Sequence, residues 1–204
     1  MQQASRMNSP SRVESATGGV RHPWLRIVAW LIDWCCVTLW AGLLAAVCVP
    51  LYLAGTLHAL PVLAANVLSA VVLVVPVTVV LAALESSRYG ATIGKRVTRL
   101  RVATDDGARI GLSRALARNG LKIAAPWLIG HAAVYAITGT SATHSVPGWL
   151  WALTATAYLL PVAWILSLFL GPGRTPYDRL TRTRVHHISG RERRAQLPPV
   201  DRRA

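Results

Sequence analysis

Asp33 is the residue of this sequence best placed to do chemistry, because it is the only acidic residue that lies outside three basic blocks and inside a long apolar segment. A carboxylate within a membrane span costs about 2.5–3.5 kcal/mol on insertion scales, so some interaction must offset that cost. Arg26 lies seven residues earlier, on the same helical face and about 10 Å away along the helix axis. Asp33 is therefore either a proton- or cation-binding carboxylate on a path between helices, or a structural lock paired with an Arg of another helix or loop.

A glycine-containing segment at residues 90–96 is superficially similar to a phosphate-binding loop. One residue is missing between its glycines, and Arg96 stands where a Ser or Thr would hold magnesium. This argues against nucleotide binding and predicts a tight glycine turn where the chain leaves an apolar segment.

The other polar residues of the apolar segments favour packing roles. His131 and Asn66 each stand alone on an apolar helix, where hydrogen bonding between helices is the usual role. Glu85 and Arg88 are three residues apart and predict a local ion pair. No Ser-His-Asp or Cys-His arrangement is recognisable, and no His or Cys pair has metal-ligand spacing. The sequence therefore predicts neither an enzyme nor a cofactor or metal site.

Two uncharged runs of equal length must position these groups. Residues 34–84 and 123–173 contain no Asp, Glu, Lys or Arg, and each run is 51 residues long. Because one helical span needs about 20 apolar residues, each run holds two spans and a short turn. The prediction is an all-α membrane protein with four transmembrane helices arranged as two hairpins. The predicted spans are residues 27–50, 59–84, 121–138 and 149–170.

The basic residues indicate the orientation of these spans. All 22 Lys and Arg lie in residues 1–26, 85–122 and 174–204, whereas the two turns within the apolar runs have none. The positive-inside rule places the basic blocks and both termini in the cytoplasm. Twenty of these 22 residues are Arg, and such a preference for Arg over Lys is typical of GC-rich bacterial genomes. The sequence therefore predicts a location in the bacterial cell (inner) membrane. The expected partner of the basic face is anionic lipid head groups rather than nucleic acid.

Three domains and one structured loop follow from this pattern. Residues 1–22 are predicted to be a disordered cytoplasmic tail, residues 23–188 the membrane domain and residues 189–204 a basic cytoplasmic tail. Between spans two and three, residues 99–104 alternate polar and apolar side chains, and Asp-Asp-Gly follows at 105–107. This predicts a short cytoplasmic β-hairpin. An amphipathic helix with Arg118 then leads into span three.

Six short motifs, in order from residue 21 to 188, resemble the RDD family of bacterial membrane proteins. The family is named for one Arg and two Asp. The motifs are Arg26–Asp33 at the start of span one, residues 90–96, Leu100–Val102, Asp106-Gly107, Arg118-Asn119, and residues 176–185 with Asp178.

The resemblance implies which residues matter. Arg26, Asp33 and Asp178 become candidates for an ion pathway or polar network, and one hypothesis is that Asp178 meets Arg26 and closes a three-charge network with Asp33. The family loop motif adds the candidates Gly90, Gly94, Lys95, Arg118 and Asn119. The chain departs from the family pattern at two positions where a small residue, usually Gly, is common. These positions are Arg99 and Arg182.

The resemblance also narrows the function. Some members of the family are implicated in exchange of monovalent cations for protons, and others are regarded as transport-related. One hypothesis is transport of a small solute, or cation–proton exchange through Asp33. Four spans are few for a transporter, so this hypothesis favours a homodimer. The alternative is an accessory or scaffold membrane protein in which the Arg/Asp network is structural. A membrane enzyme fits least well.

Overall fold

The computed structural model describes residues 22–58, 60–140 and 146–188. The tails predicted at residues 1–22 and 189–204 therefore lie, but for His22, outside the described residues. The elements in chain order are α1 (Pro23–Leu53), α2 (Val62–Ser69), α3 (Val75–Ser86), α4 (Ile93–Val97), β1 (Leu100–Thr104), α5 (Leu112–Asn119), α6 (Ala125–Thr140), α7 (Gly148–Ser167), α8 (Pro176–Leu180) and β2 (Thr183–His187).

Four helices are long and apolar enough to cross a membrane, as predicted. The first begins at Pro23, four residues before the predicted start; proline suits the first helical position because it has no N–H that would need a partner there. The third begins at Leu112 rather than residue 121, because α5 continues into α6 without a break. The four bounds are Pro23–Leu53, Val62–Ser86, Leu112–Thr138 and Gly148–Ser167. Pairing of the spans into two hairpins and their orientation remain predictions.

Two of these helices contain a π turn at the same place relative to a proline. The π turn Ala70–Val74 joins α2 to α3, and the π turn Gly120–Ala124 joins α5 to α6. In each, a backbone N–H bonds the carbonyl five residues earlier, and the next residue but one after the turn is proline, Pro76 or Pro126. Proline lacks an N–H and clashes with the preceding turn, so a wider turn at this point accommodates it.

The sheet has two strands that come from distant parts of the chain. Strand β1 pairs antiparallel with β2, with Val102 opposite Val185. The prediction that β1 forms a hairpin with the segment directly after it is wrong. That segment makes only one isolated bridge with β1, Ala103–Arg109. The reason is length: Gly111 already caps α5, so the returning segment is too short for a ladder.

Each strand follows a five-residue helix, and the two helix–strand units have related sequences. Residues 92–102 and 175–185 share the pattern Thr-x-x-x-Arg-x-Thr-Arg-x-Arg-Val, with six of eleven positions identical. We call these the two helix–strand units. Their conformations also agree, because Arg99 and Arg182 both adopt positive φ, 57° and 50°. The hydroxyls of Thr98 and Thr181 both donate to the carbonyl four residues earlier, at 2.9 and 2.7 Å.

The units are related by an approximate two-fold axis. Equivalent residues Val102 and Val185 face each other in an antiparallel pair, which places a local axis between them. Each unit also follows two apolar helices, so the chain consists of two similar halves, each with two spans and one helix–strand unit. A small core lies beneath the sheet, formed by Ala82, Val102, Ile110 and Ala115.

Candidate functional site

Asp33 is buried and ties α1 to the first helix–strand unit. Its Oδ2 accepts a hydrogen bond from the Thr92 hydroxyl at 2.7 Å, and its Oδ1 accepts from the backbone N–H of Gly94 at 2.8 Å. The Asp33 carboxylate thus accepts a hydrogen bond from a backbone N–H in the first turn of α4. The free N–H groups at a helix N-terminus favour a negative charge at this position. The structural alternative paired Asp33 with an Arg of another helix or loop, but among the described residues Asp33 makes no ion pair and instead accepts from Thr92 and Gly94.

Gly94 allows this close approach. A Cβ placed on Gly94 would lie 1.9 Å from the carbonyl oxygen of Ala29, which is itself buried on α1. A side chain at this position would push α4 away from α1 and lengthen the bond to Asp33. Gly90, the other glycine of the family motif, has φ 59° and makes the turn that precedes the unit.

Arg26 ties α1 to the second helix–strand unit. Its guanidinium donates to the Gly173 carbonyl at 2.8 Å and to Oδ2 of Asp178. The hypothesis of an Arg26–Asp178 contact therefore agrees with the structure, whereas Asp33 stays outside that pair. Arg26 and Asp33 are the two charged residues of α1 and lie seven positions apart, and each binds one of the two equivalent units.

Arg118 occupies the centre of the charged region. Its Nη1 donates to both carboxylate oxygens of Glu85 at 2.7 Å, and its Nη2 and Nε donate to Oδ1 of Asp178 at 2.7 and 3.1 Å. Only 1% of Arg118 is exposed, and its guanidinium lies 5.3 Å from the ring centroid of Tyr177. Such multiple charge-assisted bonds suit the planar guanidinium and position both acids.

Glu85 is the acid that sequence reasoning misassigned. It is fully buried and accepts from Arg118, from the Lys95 ammonium and from Nδ2 of Asn119 at 2.9 Å. The predicted pair with Arg88 is wrong, because α3 ends at Ser86 and helical spacing no longer applies. Arg88 instead donates to the Tyr89 hydroxyl at 2.6 Å.

These side chains form one charge network, which we define as Arg26, Glu85, Lys95, Arg118 and Asp178. Its members come from α1, α3, α4, α5 and α8. The family motif identified four of the five, and Glu85 was identifiable only as the acid that ends an apolar run.

Burial and neighbouring charges shift the pKa in opposite directions for Lys95 and Asp178, the two members of the charge network outside the apolar helices. Burial alone would raise the pKa of Asp178, but the guanidinium groups of Arg118 and Arg26 outweigh it and hold that pKa well below its usual range. For Lys95, burial outweighs the attraction of Glu85 and lowers the pKa to about 8. Asp178 is therefore a permanent anion at neutral pH, and Lys95 is the cation closest to losing its proton.

A cavity of about 660 Å³ lies beside the charge network, between α1, α6 and α7. We call it the aromatic cavity, because a run of rings stands along it with neighbouring centroids 5.4–6.2 Å apart: Trp30, Trp34, Trp127, His131 and Tyr135. Its lining extends along one helix from Lys122 to Ile137, which is about 22 Å at 1.5 Å per residue. This length covers most of a hydrocarbon core about 30 Å thick.

Charge is concentrated at one end of the aromatic cavity. Arg26, Lys95 and Arg118 of the charge network reach its wall, and Asp33 lies beside them. Lys122 also lines the cavity, and sequence reasoning did not single it out. The signal was present, because Lys122 is the last charged residue before the second uncharged run.

The comparisons with known proteins agree with the motif analysis. The chain matches the model of the RDD family over residues 20–182, which includes Arg26, Asp33, both helix–strand units up to Arg182, and Asp178. It matches no curated protein and no solved structure. The match covers well over half of the chain and contains all four apolar helices. The protein therefore belongs to the RDD family, and it is a membrane protein with four apolar helices.

Proposed function

We propose that this protein moves a small solute across the membrane through the aromatic cavity, and that the charge network closes one end of that path. The observation that carries this proposal is the cavity itself, which extends about 22 Å along the third apolar helix and begins at buried charges. Ionisable groups at membrane depth that face a cavity are typical of substrate and ion pathways. The presence of two similar halves adds support, since many transporters are built from structural repeats.

Exchange of monovalent cations for protons is the narrower form of this proposal and would use Asp33, which is among the residues that line the cavity. Two observations weigh against it. Both oxygens of Asp33 already accept hydrogen bonds from α4 and its cap, so binding an ion would displace that helix. The region beside Asp33 also has a net positive charge, which disfavours a cation, because three acids there face four cationic side chains: Arg26, Lys95, Arg118 and Lys122.

An accessory or scaffold role is the alternative, and the charge network favours it. Its acids are fully buried, and each is held by at least two donors from other elements. Such a network is sufficient to hold five helices together without any transport.

Charge movement in proteoliposomes distinguishes these roles. Purified protein is adsorbed as proteoliposomes on a solid-supported membrane, and currents are recorded after jumps of Na⁺, Li⁺, K⁺ or inorganic phosphate. Transport predicts a current that is lost in Gly130→Leu, which places a side chain in the cavity, and kept in Gly42→Leu. Neither current nor proton movement from well-reconstituted wild type with any probe would favour the scaffold role. Cation-triggered proton movement, followed with a pH dye entrapped in the proteoliposomes, that disappears in a folded Asp33→Asn variant would establish the exchange form.

A further inference from the structure

Lys122 differs from the other cations of the aromatic cavity. Arg26 donates to Asp178 and Gly173, Lys95 to Glu85, and Arg118 to both acids. Lys122, in contrast, makes no hydrogen bond or ion pair with any residue that the structure describes. Four cations and three acids meet in this region when Asp33 and Lys122 are added to the charge network. The aromatic cavity therefore has one uncompensated positive charge at its charged end.

The rest of the cavity is apolar and opens to the side. Away from Lys122 its walls are aromatic and aliphatic along α6 and α7. Lining residues remain strongly exposed on the outer face, with Tyr158 73% and Val134 59% exposed. Since both belong to apolar helices of membrane-spanning length, that face meets lipid rather than water. A ligand in the cavity can therefore have an apolar tail that reaches the bilayer.

We infer that the aromatic cavity binds an anionic amphiphile, with its phosphate or carboxylate head on Lys122 and a single apolar chain along α6. The lone cation requires an anion, and the apolar walls beyond it require a hydrocarbon chain. The volume of about 660 Å³ lies within the usual range for one small ligand. The inference rests on the proposed transport role, because it names the class of solute, but its test measures binding alone.

The ligand probes are chosen to separate head from chain. Binding to purified protein is measured by native mass spectrometry with 1-oleoyl lysophosphatidate, which has a phosphate head. The zwitterionic 1-oleoyl lysophosphatidylcholine has the same chain, and inorganic phosphate has no chain. We expect lysophosphatidate to bind at least about tenfold more tightly than lysophosphatidylcholine, because a hydrogen bond between charged groups contributes on that order. Inorganic phosphate at millimolar concentration should not displace it.

Two pairs of variants test the two parts of the site. Lys122→Met keeps the apolar stem and should weaken lysophosphatidate binding about tenfold or more, whereas Arg114→Gln removes an exposed charge of α5 and should not. Gly130→Leu should weaken binding of both lysolipids. Gly42→Leu is its control, since a Cβ at either glycine meets nothing within 4 Å but only Gly130 lines the cavity.

Each result decides the inference. Selectivity for lysophosphatidate that is lost in Lys122→Met and kept in Arg114→Gln supports it. Equal binding by Lys122→Met and wild type would overturn it, as would displacement by inorganic phosphate, which would identify a site for a free anion. If Lys122→Met does not fold, Gly130→Leu still decides, because unchanged binding by that variant would place the chain elsewhere. Binding without current, also when lysophosphatidate itself is the solute in the concentration jump, would leave this inference standing while the transport proposal fails.

Discussion

Arg118 joins two acids that belong to different halves of the chain. Its guanidinium bonds Glu85 at the end of the second apolar helix and Asp178 in the second helix–strand unit. The three groups are almost fully buried, so each depends on the others for solvation that water does not provide. A change to any of them should therefore affect the whole network rather than one contact.

Asp178→Asn tests this dependence. The change leaves Arg26 and Arg118 with one buried carboxylate fewer, so we expect the free energy of unfolding to fall by about 3–5 kcal/mol. Thermal unfolding of the purified protein in detergent measures it. Asp105→Asn is the control, because Asp105 pairs with Arg174 and Arg184 at the surface. Equal unfolding midpoints for the two variants would show that burial of the network adds nothing.

Lys95 gives the network a dependence on alkaline pH. Its pKa is about 8 in the folded protein and near 10.5 in the unfolded chain, so between these values the unfolded chain binds more protons. The contribution of Lys95 to the free energy of unfolding therefore increases as pH rises from about 8 to 10.5. Lys95→Met should remove that increase, as measured by unfolding at a series of pH values. Parallel curves for variant and wild type would contradict the assigned pKa.

At the scale of elements, α1 holds both helix–strand units by hydrogen bonds from its side chains. One helical face carries Arg26 for the second helix–strand unit and Asp33 for the first. Neither bond is local, since the partners lie 152 and 59 residues away. The spacing of seven residues, nearly two helical turns, matches the separation of the two units along α1.

The turn from helix to strand is strained at the same position in both units. Arg99 and Arg182 are exposed and adopt the left-handed conformation, which costs a residue with a Cβ about 1–2 kcal/mol. Arg99→Gly and Arg182→Gly should each stabilise the protein by up to about 1 kcal/mol after the entropy cost of glycine is subtracted. Thermal unfolding measures the change.

The control for that prediction is a glycine where no strain exists. Arg114→Gly lies within α5 and is exposed, so it should destabilise the protein by about 1 kcal/mol. A loss of stability in Arg99→Gly and Arg182→Gly as large as in Arg114→Gly would show that the arginine side chains matter more than the backbone strain.

For the whole molecule, the basic segments predict that the charge network lies at the cytoplasmic face. Cys35, Cys36 and Cys48 are first replaced by Ser, and a single Cys is then introduced at an exposed site. His58→Cys, beyond the far end of α1, should react with an impermeant maleimide in intact cells, and Arg109→Cys only after permeabilisation. The opposite labelling would invert the assigned orientation.

Different parts of the structure were predictable for different physical reasons. The four apolar helices follow from hydropathy alone, since lipid demands about 20 apolar residues per span. The partner of β1 did not follow, because five residues rich in Arg and His give β2 almost no apolar pattern. Comparison of residues 92–102 with 175–185 would have revealed it. The partners of Asp33 were unpredictable, because a hydroxyl and a backbone N–H carry no charge signal in the sequence.

The pairing of β1 with β2 also determines when the protein can complete its fold. Nearly eighty residues separate the end of β1 from the start of β2, and at about 5–20 residues per second the ribosome needs roughly 4–16 s to supply them. During that time Thr92 and Gly94 can already bond Asp33, while Arg26 and Arg118 await Asp178. The second helix–strand unit is therefore the last to join the fold. Until the last span has been made, Arg26 and Arg118 have no Asp178 to bind and β1 has no partner strand.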